Sequence, residues 1–215
     1  DFKYYEPIRE AIAKLSESEQ ELHVIEEEKS PKSRIEEAVK EILFAVGEDP
    51  NREGLLETPA RVAKMYEQIL SSQRLTNFNE YKLFEIDSSK NDSIVLIKDI
   101  PFYSMCEHHM LPFFGKAHVA YIPDGGRIIG LSKIPRLVNY VSRKLSVQEN
   151  ITHDIADILT NILKPKGVAV LVEGRHMCVE MRGVKKVNSL TKTSYFLGEF
   201  KENSEKRMEF LESLL

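Results

Sequence analysis

Apolar residues recur at helical spacing through the first third of the chain and every second position later on. Ile8, Ile12, Leu15, Leu22 and Ile25 share one stripe of residues 1–29, with acids dominating after Glu17, which predicts a charged amphipathic helix with a solvated face. In "SPKSRIEEAVKEILFAVG", Ile35, Val39, Ile42, Leu43 and Val46 predict a second helix, with Ser33 and Glu36 as a capping box and Gly47 as its stop. "TPARVAKMYEQIL" predicts a third, capped by Thr58 with Pro59 at its first position. Val62, Met65, Tyr66 and Ile69 form its apolar side, while Arg61 and Lys64 share another face.

From about Ser93 the period changes. "SIVLIKDIPF", "GKAHVAYIP", "RIIGLS", "GVAVLVEG" and "RHMCVEMRG" are short, β-rich and separated by Gly, Pro and Asp. Two helical stretches lie between them: "SKIPRLVNYVSRKL", and "QENITHDIADILTNIL" with its stripe of Ile151, Ile155, Ile158, Leu159 and Ile162. A last short helix, "SEKRMEFLESLL", ends the chain. The order predicts an α+β fold: an antiparallel sheet with helices packed on one side, preceded by N-terminal helices. We divide the chain into a variable charged helical extension (1–30), an N-terminal helical region (31–90) and a sheet-containing domain (91–215).

Composition narrows the function. The 215 residues carry a net charge of -4, which offers nucleic acid or an anionic membrane no global attraction. The longest apolar runs are too short to span a bilayer. No signal peptide is visible, and the chain opens without Met, as a processed or trimmed form would. A cytoplasmic location is the default expectation, with no nucleic-acid or membrane partner.

The two cysteines each stand close to a histidine, in "SMCEHHMLPF" and "EGRHMCVEMRG". A Cys-x-x-His pair such as Cys106 and His109 is a weak signal alone, but a second Cys with its own His favours a metal or catalytic site over a disulfide. Three N/S ligands and one vacant position would be the arrangement of a catalytic zinc. Read as a strand, "RHMCVEMR" turns His176, Cys178, Glu180 and Arg182 to one face. His176 then suits proton transfer and Arg182 an anion. Glu180 is not read as a ligand; it turns away from the metal or pairs with a local cation. In "GLSKIPRLV", Ser132 is a candidate cap with Lys133 and Arg136 in the first turn, which reads either as an anion site or as two snorkelling surface cations.

These residues, together with "VQEN" and "NSLTKTSYFLGEF", resemble GTP cyclohydrolase I from about Ser33 to the C-terminus, most densely between Ile100 and Gly198. The resemblance implies a tunnelling fold (T-fold), a homo-oligomer of two pentamers face to face with active sites at subunit junctions, and conversion of GTP and water to 7,8-dihydroneopterin triphosphate and formate, the first step of folate or tetrahydrobiopterin synthesis. It implies Zn2+ held by Cys106, His109 and Cys178, activating water for attack at carbon 8 of the purine. His176 would protonate the opening ring with His108 assisting, and Ser132 would act in the later rearrangement. Glu149 with Gln148 would accept the guanine N–H groups, a recognition that can discriminate on the order of 10⁴-fold. Lys133, Arg136 and Arg182 would hold the triphosphate, with Arg61 and Lys64 reaching in from a neighbouring subunit. The rivals are another enzyme of the same fold, such as a nitrile-reducing queuosine enzyme or a dihydroneopterin aldolase, and a zinc-stabilised scaffold. The first would not need zinc ligands and a triphosphate set together, and the second leaves His176, Glu149 and the cations unexplained.

Overall fold

The computed structural model describes residues 29–87 and 93–215. The helix expected over residues 1–29 lies, but for its last residue, outside them. The chain forms two compact units, divided between Met65 and Tyr66.

In the first unit, helix α1 (Pro31–Ala45) starts three residues before the expected capping box. Ser30 is the cap, its hydroxyl accepting from Ser33 N–H, and Pro31 takes the first helical position, where its missing N–H costs nothing. Gly47 ends the helix as expected. At φ +88° it lets Glu48 N–H reach Leu43 O and its own N–H reach Phe44 O, closing the last turn. Of the predicted stripe only Val39 is fully buried, while Ile42 and Val46 are exposed. Helix α2 (Thr58–Ile69) spans the division, so the second unit begins well before the expected boundary at residue 91. The cause is a set of ties to the sheet domain: Ser72 N–H donates to Arg143 O, Leu145 N–H to Gln73 Oε1, and Tyr140 OH to Leu75 O.

The second unit is built on a five-stranded sheet in the order β5-β2-β3-β6-β7. Its strands are β2 (Val95–Cys106), β3 (Pro112–Ile122), β5 (Leu145–Ser146), β6 (Gly167–His176) and β7 (Leu190–Gly198). All neighbours are antiparallel except β5, which runs parallel to β2. A separate antiparallel pair joins β1 (Leu83–Glu85) to β4 (Arg127–Ile129). Period-two alternation divides the sheet into two faces. Phe102, Ala117, Val119, Tyr121, Val168, Val170 and Val172 meet helices α3 (Lys133–Ser142) and α4 (Gln148–Leu163), whose Leu137, Ile151, Ile155 and Leu159 are wholly buried. Ala120, Ile122 and Ala169 face the other way, onto Phe200 and Phe210 of α6 (Glu199–Glu202) and α7 (Ser204–Glu212). The expectation of helices on one side is therefore corrected. The two long helices cover one face, and the C-terminal pair, with apolar residues at Phe200 and Phe210, covers part of the other. No helix among the described residues is long and apolar enough to cross a membrane.

A bulge interrupts β2 between Ile97 and Ile100, where Asp99 takes φ +59°. The freed Asp99 N–H donates to Nδ1 of the buried His118, and the Asp99 carboxylate pairs with Lys116 at 2.7 Å. Burial holds the His118 imidazole below its ordinary range, against the opposing pull of Glu173 and Asp99. As pH falls below about 6.5 the unfolded chain takes up a proton that folded His118 refuses, so stability falls with pH. His118→Phe is expected to be less stable at neutral pH, because Asp99 N–H loses its acceptor, yet to show a shallower loss of urea midpoint between about pH 7 and pH 5.5 than the unmodified chain. Parallel slopes would exclude His118 as the source.

Candidate metal centre and active site

The strand ends at one edge of the sheet gather the candidate residues. β2 ends at Cys106, and the chain reverses at once. Met110 N–H donates to Cys106 O and Cys106 N–H to Leu111 O, with Met110 at φ +51°. That single α-turn is what lets Cys106 and His109, three apart, lie on one side. Ser146 of β5 pairs with Cys106, and its carbonyl accepts from Glu107 N–H.

Cys178 does not come from a strand. β6 stops at His176, and Met177–Glu180 form one helical turn, α5. The four polar side chains expected on one strand face are therefore redistributed. Glu180 folds back beneath the turn, nearly fully buried, and accepts two hydrogen bonds from the Arg175 guanidinium at 2.8 and 2.7 Å. Arg175 in turn lies over the Phe114 ring. This bidentate bond, with Arg175 as its main cause, holds the Glu180 carboxyl below its ordinary range. Arg182 follows on an exposed segment, its guanidinium 3.5 Å from Cys178 O.

One ligand atom each from Cys106, His109 and Cys178 lie within 4.8 Å of one another, and both cysteines are free. Two sulfurs and an imidazole make a soft set of three that suits a tetrahedral cation with one position left open. Burial, and then the neighbouring Cys106 thiol, push the Cys178 thiol up, so Cys178 favours its neutral form until a cation stands beside it. His108 is exposed, with Nδ1 3.9 Å from Cys106 Sγ. His176 lies flat on Phe113, with ring centroids 4.7 Å apart. Burial lowers its imidazole, and Glu149 at the start of α4 opposes that shift.

Gln148 stands apart from the expectation that it meets substrate. It is 1% exposed, and its carboxamide is bonded to Val172 O, Thr191 O, Thr193 Oγ1 and His176 Nε2. The supporting residues Phe113, Gly174, Arg175, Thr152 and Thr193 carried no signal of their own; only the Thr-x-Thr alternation in β7 marks a polar strand face.

The cationic set divides. Arg182 is beside Cys178 of the candidate cluster, but Ser132, Lys133 and Arg136 are not. α3 begins where Gly130 N–H bonds Lys82 O and Ile129 N–H bonds Tyr121 OH, at the far end of β3 from Phe113. Phe113 and Tyr121 are eight positions apart along the strand, roughly 26 Å at about 3.3 Å per residue. Ser132 precedes α3 with no capping bond from its side chain, and Arg136 pairs with Glu80 at 2.7 Å. Arg61, paired with Glu57, and Lys64 belong to the first unit.

A family model described as GTP cyclohydrolase I matches residues 35–215. Two relatives from Lactococcus lactis, each named bifunctional protein FolKE, are 98% and 88% identical over the whole chain, which spans 62% of their length. A protein of Latilactobacillus sakei named GTP cyclohydrolase 1 is 61% identical over 181 residues, covering 84% of this chain and 96% of that one. A solved structure of an archaeosine synthase QueF-like protein overlays with a TM-score of 0.40 at 18% identity, over 49% of this chain and 94% of that one.

The Arg175–Glu180 bond ties the turn carrying Cys178 to β6, so its loss should loosen one candidate metal ligand. Arg175→Met is expected to weaken metal affinity by roughly 10–100-fold, read by competition with a chromogenic chelator. Unchanged affinity in a folded variant would show that the turn holds itself.

Proposed function

The chain belongs to the GTP cyclohydrolase I family, and on that premise we propose that it converts GTP and water to 7,8-dihydroneopterin triphosphate and formate, in folate biosynthesis. The observation that carries this reading is the cluster of Cys106, His109 and Cys178 next to His176 and Glu149. The cluster's donor set fits Zn2+, which when bound would polarise water and lower its pKa toward neutrality. His176, held neutral by burial, accepts and returns the proton that opening of the imidazole ring requires, with the exposed His108 assisting. Glu149, exposed at the start of α4, accepts the guanine N–H pair, which adenine does not present. Free thiols at Cys106 and Cys178 fit a reducing, cytoplasmic setting.

The site is shared between copies of the chain. Arg182 lies beside the metal ligands, whereas Ser132, Lys133 and Arg136 sit at the other end of the sheet. A triphosphate anchored at carbon 8 reaches the second set only if a neighbouring subunit supplies it. Arg61 and Lys64 complete the polyanion site on this reading, and Ser132 acts in the rearrangement. β5 covers only Met105 and Cys106 of β2, and β7 ends the sheet, so among the described residues both edges offer backbone to another copy. A ring of subunits closed by such edges, two rings forming a decamer, satisfies both demands.

The test is incubation of the zinc-loaded protein with GTP, following formate and the fluorescence of oxidised neopterin. Cys178→Ser is expected to release no product, and His176→Ala to lose roughly 10²–10⁴-fold in rate. Glu149→Gln should raise KM for GTP above tenfold, because a carboxamide has one acceptor oxygen and leaves one guanine N–H without its partner. Binding of zinc and GTP by the unmodified chain without formate would instead indicate a scaffold or binding role.

A further inference from the structure

His176 is gripped from two directions: Phe113 fixes the plane of its ring, with 5° between the two planes, and Gln148 fixes its edge. The orientation of the Gln148 carboxamide follows from its partners. Its nitrogen lies 3.0 Å from the carbonyl oxygens of Val172 and Thr191, neither of which can donate, so the N–H groups must face them. The Thr193 hydroxyl, 3.1 Å from the same nitrogen, lies 2.6 Å from Thr152 Oγ1, which donates to Gln148 O at 2.9 Å. Both Gln148 N–H groups are taken by the two carbonyls, so the Thr193 hydroxyl at most shares one of them, and donation runs on from Thr193 to Thr152 and to the Gln148 backbone carbonyl. The carboxamide oxygen is left facing His176 Nε2 at 2.9 Å. An amide oxygen only accepts, so His176 Nε2 must carry a hydrogen. Nδ1 is the nitrogen left over, and among the described residues it has no hydrogen-bond partner. Gly174 makes room for this contact, since a Cβ there would lie 2.3 Å from Gln148 Oε1.

We propose that Gln148 is a positioning residue that locks His176 in the Nε2–H tautomer and thereby assigns Nδ1 as the atom that exchanges a proton with substrate. The carbonyls of Val172 and Thr191 set the direction of the lock, Thr193 and Thr152 support it, and Gly174 leaves the space for it. The identity of the substrate rests on the proposed function; the tautomer does not.

The experiment is 15N NMR of the full chain labelled at histidine, near pH 8, with and without zinc, the His176 ring signals being assigned by their loss in His176→Ala. The expected result is a protonated-type shift at Nε2 and an unprotonated-type shift at Nδ1. Gln148→Leu and Gly174→Ala should each give mixed tautomers. In both, kcat should fall roughly 10–100-fold with KM for GTP within about twofold. Thr193→Val, the mildest of the set, should shift the ring signals in the same direction. An Nδ1–H tautomer in the unmodified chain would overturn the proposal. So would a Gln148→Leu variant whose KM rises at constant kcat, because that is the behaviour of a substrate ligand. Absence of formate from the unmodified chain would sink the cyclohydrolase reading, while the ring signals would still decide the role of Gln148.

Discussion

The pairing of β3 with β6 is the constraint on which the rest of the second unit depends. It runs without a break from Ile122 opposite Gly167 to Phe113 opposite His176. Two consequences follow from one register. Val168, Val170 and Val172 enter the same core as Ala117, Val119 and Tyr121, and the last pair sets the His176 ring against Phe113. A slip of one residue would turn every apolar side chain to the wrong face and carry His176 away from its stacking partner. Backbone contact demands small residues along this seam. A Cβ at Gly115 would lie 1.8 Å from Glu173 O, so the strands approach there as only glycine permits. The bulge at Asp99 takes up the mismatch on the other side of β3, which lets β2 bring Cys106 to the same end.

The site at that end is governed by desolvation opposed by specific partners. Burial, joined at Cys178 by the Cys106 thiol, raises Cys178, and burial lowers His176, so both groups are disposed to be neutral. Glu180 goes the other way because Arg175 meets it with two hydrogen bonds. A buried carboxylate left unpaired beside two thiols would repel the electron-rich ligands and compete for a cation. Paired, it becomes the fastening of the turn that carries Cys178. The same residue type thus stays out of the ligand set by geometry rather than by distance along the chain.

Much of this was legible before any coordinates. The stripe of Ile151, Ile155 and Leu159 predicts the buried face of α4, and Cys106 and His109 lie together as their spacing suggests, with Cys178 brought to them from far along the chain. The misreadings share a cause, which is that local pattern underdetermines local structure. Polar residues at 176, 178, 180 and 182 satisfy a strand's period of two, yet they also hold two pairs four apart, 176 with 180 and 178 with 182. The second pattern wins because a helical turn lets Met181 N–H bond Met177 O and buries Glu180 on Arg175. Ser33 with Glu36 fits a capping box, but Ser30 followed by Pro31 starts the helix earlier at no cost in N–H groups. Gln148 next to Glu149 looks like an acid-rich first turn. Its true surroundings come from Val172 and Thr191, far along the chain, and no short-range pattern reports them.

The division of the cations is the remaining step. An acidic chain that binds a polyanion must concentrate positive charge where the anion lies, because exposed charges more than about 10 Å apart are screened from one another at moderate salt. Within one chain Lys133 and Arg182 are held at opposite ends of the sheet by the length of β3. Rotamer changes cannot close a gap of that size. In the proposed reaction the gap is closed by symmetry instead, with the far end of one sheet lying against the cysteine-bearing end of the next. The same arrangement would cover the strand edges left open at β2 and β7. Assembly and substrate binding would then be one structural requirement, met at one surface.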